Sequence, residues 1–129
     1  MELIYQGKGT SICGQCCVAM VTGKKLLECL EALHDGGTFG VELIKMIKDF
    51  GFKCSDKLKF PVPEHLPEKC ILRIKYEGYH GGHWVAYYKG FIYDPSFKYG
   101  IVEISHYKKE FLEQSEIQGR FISYLEIKS

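Results

Sequence analysis

With 129 residues the chain is long enough to bury a real core, and it reads as one domain spanning 1–129. Apolar residues make up 46% and charged residues 26% of it, and the formal net charge is +1 with Lys and Arg dispersed. That balance leaves no electrostatic footprint for nucleic acid or for an anionic membrane surface.

The opening segment, Met1-Glu2-Leu3-Ile4-Tyr5-Gln6, has neither the basic stretch nor the apolar core of a secretory signal. No apolar run reaches the roughly 20 residues of a membrane span, so a cytoplasmic setting is expected. The six cysteines (13, 16, 17, 29, 54 and 70) include an adjacent pair, and reduced thiols fit that setting better than three disulfides.

Ser11 or Thr10 is positioned to cap a first helix over 12–22, with Gly23 as its stop. Leu26, Leu27, Leu30 and Leu33 recur at helical spacing and predict a second helix over 24–34, ended by Asp35-Gly36-Gly37. Thr38 then caps a third helix reaching Phe50, with Leu43, Ile44, Ile47 and Phe50 on one face and Gly51 closing it. Pro61, Pro63 and Pro67 argue against helix in the next stretch. Strands are predicted over 70–76, 83–88, 91–93, 101–104 and 120–127, with a short helix over 107–113 between the last two. Helices first and antiparallel strands later define an α+β domain with a cleft where the halves meet.

Cys13 falls in the first turn of the first helix, where unpaired N–H groups and the positive end of the helix dipole favour a thiolate. Gly14 beside it is expected to keep the approach to the sulfur open. Cys16 and Cys17 extend an apolar face that runs on through Met20 and Val21. Cys13-Gly14-Gln15-Cys16 is also a Cys-x-x-Cys, but a redox helix of that kind follows a strand–helix–strand pattern and here more helices follow. Zinc-like pair spacings at Cys13/Cys16 and His80/His83 lie too far apart in the chain to count as a metal site, and no cofactor is called for.

His83 opens its strand, sharing a face with Val85 and Tyr87. Lys89-Gly90 has the form of a two-residue hairpin turn. That turn sets Ala86 opposite Tyr93 and Val85 opposite Asp94, which puts Asp94 on the face of His83, one diagonal step away. A three-residue loop would move Asp94 to the other face. Alone, His83 is an ordinary strand histidine and Asp94 an ordinary turn residue before Pro95. The pairing across one hairpin, with Gly81 and Gly82 clearing space, is what suggests an imidazole steadied by a carboxylate.

These pieces together resemble the papain-like cysteine peptidases, closest to the bacteriocin-processing branch that trims double-glycine leader peptides. The resemblance rests on Gln6 ahead of Cys13-Gly14, on Val18-Ala19-Met20 ending the apolar helix, on His83-Trp84-Val85-Ala86 and on Asp94-Pro95. It implies a papain-like fold, with the active site between a helical half and an antiparallel sheet. It further implies Cys13 as nucleophile, His83 as general base and then acid, Asp94 as its orienter and Gln6 as oxyanion donor. Gln6 stands seven residues before Cys13, one more than the family's usual spacing. A plant-papain register would instead nominate Cys16, with Gln6 ten residues away and no aromatic residue following. The activity implied is thiol hydrolysis of a peptide or isopeptide bond, with an extended peptide or protein as partner. Deamidation or acyl transfer by the same triad, or an inactive peptide-binding module, are the alternatives. Tyr79, Trp84, Tyr87 and Tyr99 fit either a peptide groove or plain strand packing.

Overall fold

A computed structural model of the protein describes residues 1–33, 37–113 and 116–128. Among these residues the order is helices α1 (Cys13–Thr22), α2 (Leu26–Ala32) and α3 (Gly40–Asp49), followed by strands β1 (Lys53–Cys54), β2 (Lys69–Tyr76), β3 (Gly82–Tyr88), β4 (Phe91–Tyr93) and β5 (Ile101–Glu103). Helix α4 (Ile104–Tyr107), a π-helical segment (Lys108–Glu113) and strand β6 (Gly119–Lys128) complete it. The strands form one sheet in the order β1-β6-β2-β3-β4-β5, every neighbouring pair antiparallel. The fold is α+β, as expected.

Both sheet faces are covered, so the central strands alternate between two cores rather than between core and solvent. Ile71, Trp84, Ala86 and Leu125 pack against Cys17, Val18 and Val21 of α1 and against Leu43 and Ile47 of α3. On the other face Leu72, Ile74, Val85 and Ile92 pack against Tyr107 and Leu112. No helix among the described residues is long and apolar enough to cross a membrane.

Several helix boundaries differ from expectation, two of them for a hydrogen-bonding reason. Neither Ser11 nor Thr10 caps α1; the N-cap is Ile12. The Thr10 hydroxyl donates back to the carbonyl oxygens of Gln6 (2.9 Å) and Gly7 (3.3 Å) and so closes a loop instead. Thr38 is not the cap of α3 either. Its hydroxyl donates to Gln15 Oε1 at 2.9 Å in the interior, while Glu42 accepts from the Phe39 N–H at 2.8 Å to satisfy the helix start. Helix α2 is shorter than expected; the Asp35-Gly36 part of its predicted stop lies outside the described residues. The expected 107–113 helix begins earlier, at Ile104, and continues as the π-helical turn. Strand β1, which sequence reading missed, is only two residues long and pairs with the end of β6.

Candidate active site

The hairpin joining β3 and β4 turns through two residues. Lys89 (φ 46°) and Gly90 (φ 95°) both take left-handed backbone, the geometry of a tight primed turn, and Ala86 pairs with Tyr93. This is the register that brings Asp94 to the face of His83. Their side chains meet: His83 Nε2 lies 2.8 Å from Asp94 Oδ1. A carboxylate only accepts, so Nε2 carries the proton and Nδ1 is the ring atom left for the thiol. Cys13, the first residue of α1, lies beside that imidazole, close enough for thiol and ring to influence each other's charge.

Asp94 is 1% exposed and held on every side. Its Oδ1 also accepts from the Ser96 N–H (2.9 Å) and the Ser96 hydroxyl (2.6 Å), and its Oδ2 accepts from the Tyr107 hydroxyl at 2.6 Å. Burial works against the charge, but the His83, Ser96 and Tyr107 contacts outweigh it and hold the carboxyl below its ordinary value. Burial and the neighbouring carboxylate push the Tyr107 hydroxyl up, so it remains a donor. Ser96 has a local signal, an Asx-type turn from Asp94 to the residue two further on. Tyr107, thirteen residues from Asp94, has none.

The charges of the thiol and the imidazole are set as a pair. Burial disfavours the imidazolium, but bonds to Asp94 and Cys13 raise His83 to about 10. Burial likewise disfavours the Cys13 thiolate. The His83 hydrogen bond and charge, with backbone N–H groups of Trp84 and Gly14, more than offset it and lower the thiol. Cys16 has the opposite fate: fully buried and without such partners, it is pushed up to about 12. The structure therefore brings Cys13, and not Cys16, to the histidine.

Gln6 reaches the same place. Its backbone N–H donates to the Pro95 carbonyl (2.8 Å), next to Asp94, and its Nε2 donates to the Thr10 carbonyl (3.0 Å), while Oε1 is buried without a partner. The extra residue between Gln6 and Cys13 is absorbed by the loop through Gly7 (φ 87°) and Gly9 (φ 72°). Gln6, Cys13 and His83 all line a groove of about 440 Å³, together with Phe39, Arg73 and Trp84. Trp84 Nε1 donates to the Thr38 carbonyl at 3.0 Å, tying the sheet side of the groove to the helical side.

The glycines act differently from expectation. A Cβ on Gly14 would lie 2.9 Å from Thr38 Cβ and 3.2 Å from Leu43 Cδ2, so this residue permits close packing of α1 and does not open the sulfur. A Cβ on Gly82 would meet the Arg73 guanidinium at 2.8 Å, so the space it leaves is already filled. Gly81 faces open space. Of the aromatic residues, Trp84 lines the groove and Tyr79 borders an adjoining apolar hollow, whereas Tyr87 packs in the second core. Tyr99 is 93% exposed in the loop beyond Asp94. Among the described residues no group of three or more His, Cys, Asp or Glu side chains is placed to hold a metal ion.

Comparison of the chain with protein-family models, with curated proteins and with solved structures finds no match.

Proposed function

We propose that the protein is a papain-like thiol hydrolase that cleaves a peptide or isopeptide bond through an acyl-enzyme on Cys13. The observation that carries this reading is Cys13 beside the hydrogen-bonded His83–Asp94 pair at the wall of an open groove. Fixed geometry of this kind needs no reorganisation when charge develops, which is where most rate enhancement arises.

In this reading the Cys13 thiolate attacks the carbonyl carbon, and the C=O electron pair moves onto oxygen. The backbone N–H of Cys13, unpaired at the helix start, and the second N–H of Gln6 Nε2 stabilise that oxyanion. As the tetrahedral intermediate collapses, Nδ1 of the His83 imidazolium gives its proton to the departing amine. Cys13 is left as a thioester and His83 neutral. Water then loses a proton to His83 and attacks the thioester, and collapse releases the acid and restores the ion pair. Asp94 stays ionised throughout and keeps the ring in position. An extended peptide or protein strand fits the open groove, with the hollow beside Tyr79, Tyr76 and Phe111 available to an apolar side chain.

Two measurements test this. Alkylation of the folded protein by iodoacetamide is expected to be fast at Cys13 and nearly level between pH 6 and 8, the behaviour of a preformed thiolate. Mass spectrometry of a peptide mixture after incubation is expected to show new chain ends that Cys13→Ala does not produce. The small mass gain of deamidation, or new crosslinks, would assign the same triad to deamidation or acyl transfer. Slow labelling with no products would leave a binding module. Fast labelling that survived Cys13→Ala would refute the choice of nucleophile.

A further inference from the structure

Arg73 is a groove residue that the triad does not use. It stands on β2 directly opposite Trp84 of β3, and its guanidinium lies over the indole, with Cζ 4.6 Å from the ring centroid. The missing side chain of Gly82 makes room for it there, since a Cβ would come within 2.9 Å of Nη2. The β2–β6 register shifts between Arg73 and Ile74, an irregularity of the kind that re-aims a side chain. A contact with one ring leaves most of the five N–H donors of the guanidinium for a ligand.

No carboxylate pairs with Arg73 among the described residues; the ion pairs there are Lys45–Asp49, Lys48–Asp56, His83–Asp94 and Lys89–Glu68. Half-buried guanidinium groups are normally matched by an anion, because a partly desolvated charge without one is costly. Gly82 and Trp84, which hold Arg73, flank His83 on either side in the strand.

We propose that Arg73 is a substrate-binding residue that takes a carboxylate near the scissile bond, through the paired N–H···O contacts that a guanidinium makes with a carboxylate. This rests on the thiol-hydrolase reading and narrows its substrate class to peptides bearing an acidic group beside the cleaved bond. An acidic side chain and a terminal carboxylate offer the same chemistry.

The test compares anionic with neutral alkylating agents at Cys13, using iodoacetate against iodoacetamide and iodoacetyl-glycine against iodoacetyl-glycinamide. His83 favours the anions in every variant, so the Arg73 share is read as the change in the anionic-to-neutral rate ratio. Arg73→Gln is expected to lower that ratio about three- to tenfold for the pair of better reach, the effect of one nearby charge in a partly screened groove. Arg73→Lys, which keeps the charge but not the paired contacts, is expected to retain only part of it, and circular dichroism checks that both variants fold. A ratio that does not fall in Arg73→Gln overturns the inference while the triad reading stands. Slow iodoacetamide labelling of Cys13 in the unmodified protein overturns both. Two peptide pairs then separate the sources: aspartate against asparagine within a blocked peptide, and a free against an amidated terminus.

Discussion

At the scale of the residue, the site depends on how firmly Asp94 is held. Its Oδ2 has one donor, the Tyr107 hydroxyl at 2.6 Å, and Tyr107 is itself buried. Tyr107→Phe keeps the ring packing and removes that donor, leaving a buried carboxylate oxygen unsatisfied. Tyr107 is one of the contacts that lower the Asp94 carboxyl, so its loss raises that carboxyl toward the ordinary value. A protonated Asp94 no longer supports the imidazolium, and the thiolate loses its counter-charge at a higher pH than before. The acid limb of the Cys13 alkylation profile is therefore expected to move up in pH, with the rate on that limb about tenfold lower, the order of one hydrogen bond to a charged group. An acid limb in the same place would show that Tyr107 only packs. Sequence reading placed Tyr107 in a helix and gave it no role, because its contact is made thirteen residues away and leaves no local pattern. Cys13, His83 and Asp94 were legible because helix start, strand phase and tight turn each constrain one of them.

At the scale of the element, the β3–β4 hairpin was readable since a two-residue turn leaves one register open and Gly90 suits its positive φ. The helix caps were not. Thr10 and Thr38 are ordinary cap residues whose hydroxyls go elsewhere, Thr10 back to the loop carbonyls of Gln6 and Gly7 and Thr38 to Gln15 of α1, and sequence spacing carries no sign of that competition. The loop after β4 matters as much as the hairpin. The Asp94 N–H donates to the Gly100 carbonyl at 2.8 Å, and a Cβ on Gly100 would lie 2.2 Å from the Asp94 carbonyl oxygen. Backbone cannot yield as a side-chain tip does, so Gly100→Ala must move the segment that carries the carboxylate. A loss of about 1–3 kcal/mol is expected in urea unfolding, with slower Cys13 alkylation at neutral pH. Lost stability with a full alkylation rate would show that the loop moves without carrying Asp94 along.

At the scale of the whole molecule, the helical side supplies one charge of the pair and the sheet supplies the other, so folding and ionisation are linked. His83 is raised from 6.5 to about 10, so between those values the folded protein holds a proton that the unfolded chain has released. Taken alone, that makes stability fall as pH rises above 6.5, by at most about 1.4 kcal/mol per pH unit. Cys13 is lowered from 9.0, so below that value the folded protein has released a proton that the unfolded chain retains. Taken alone, that makes stability rise with pH by the same slope. Where the two windows overlap, below 9.0, the proton counts offset each other, and urea midpoints of the unmodified protein are expected to change less with pH there than His83 alone would make them. Cys13→Ala removes the compensating thiol. His83 then loses one of the contacts that raise it but keeps the Asp94 bond at 2.8 Å, so it stays above its ordinary value and is left to titrate by itself. Stability of that variant is expected to decline as pH rises above 6.5 and to level off once the remaining His83 shift is passed. Parallel pH profiles for the two proteins would mean that thiol and imidazole are not ionised as a pair in the folded chain, and the acyl-enzyme chemistry proposed for Cys13 would lose its starting state.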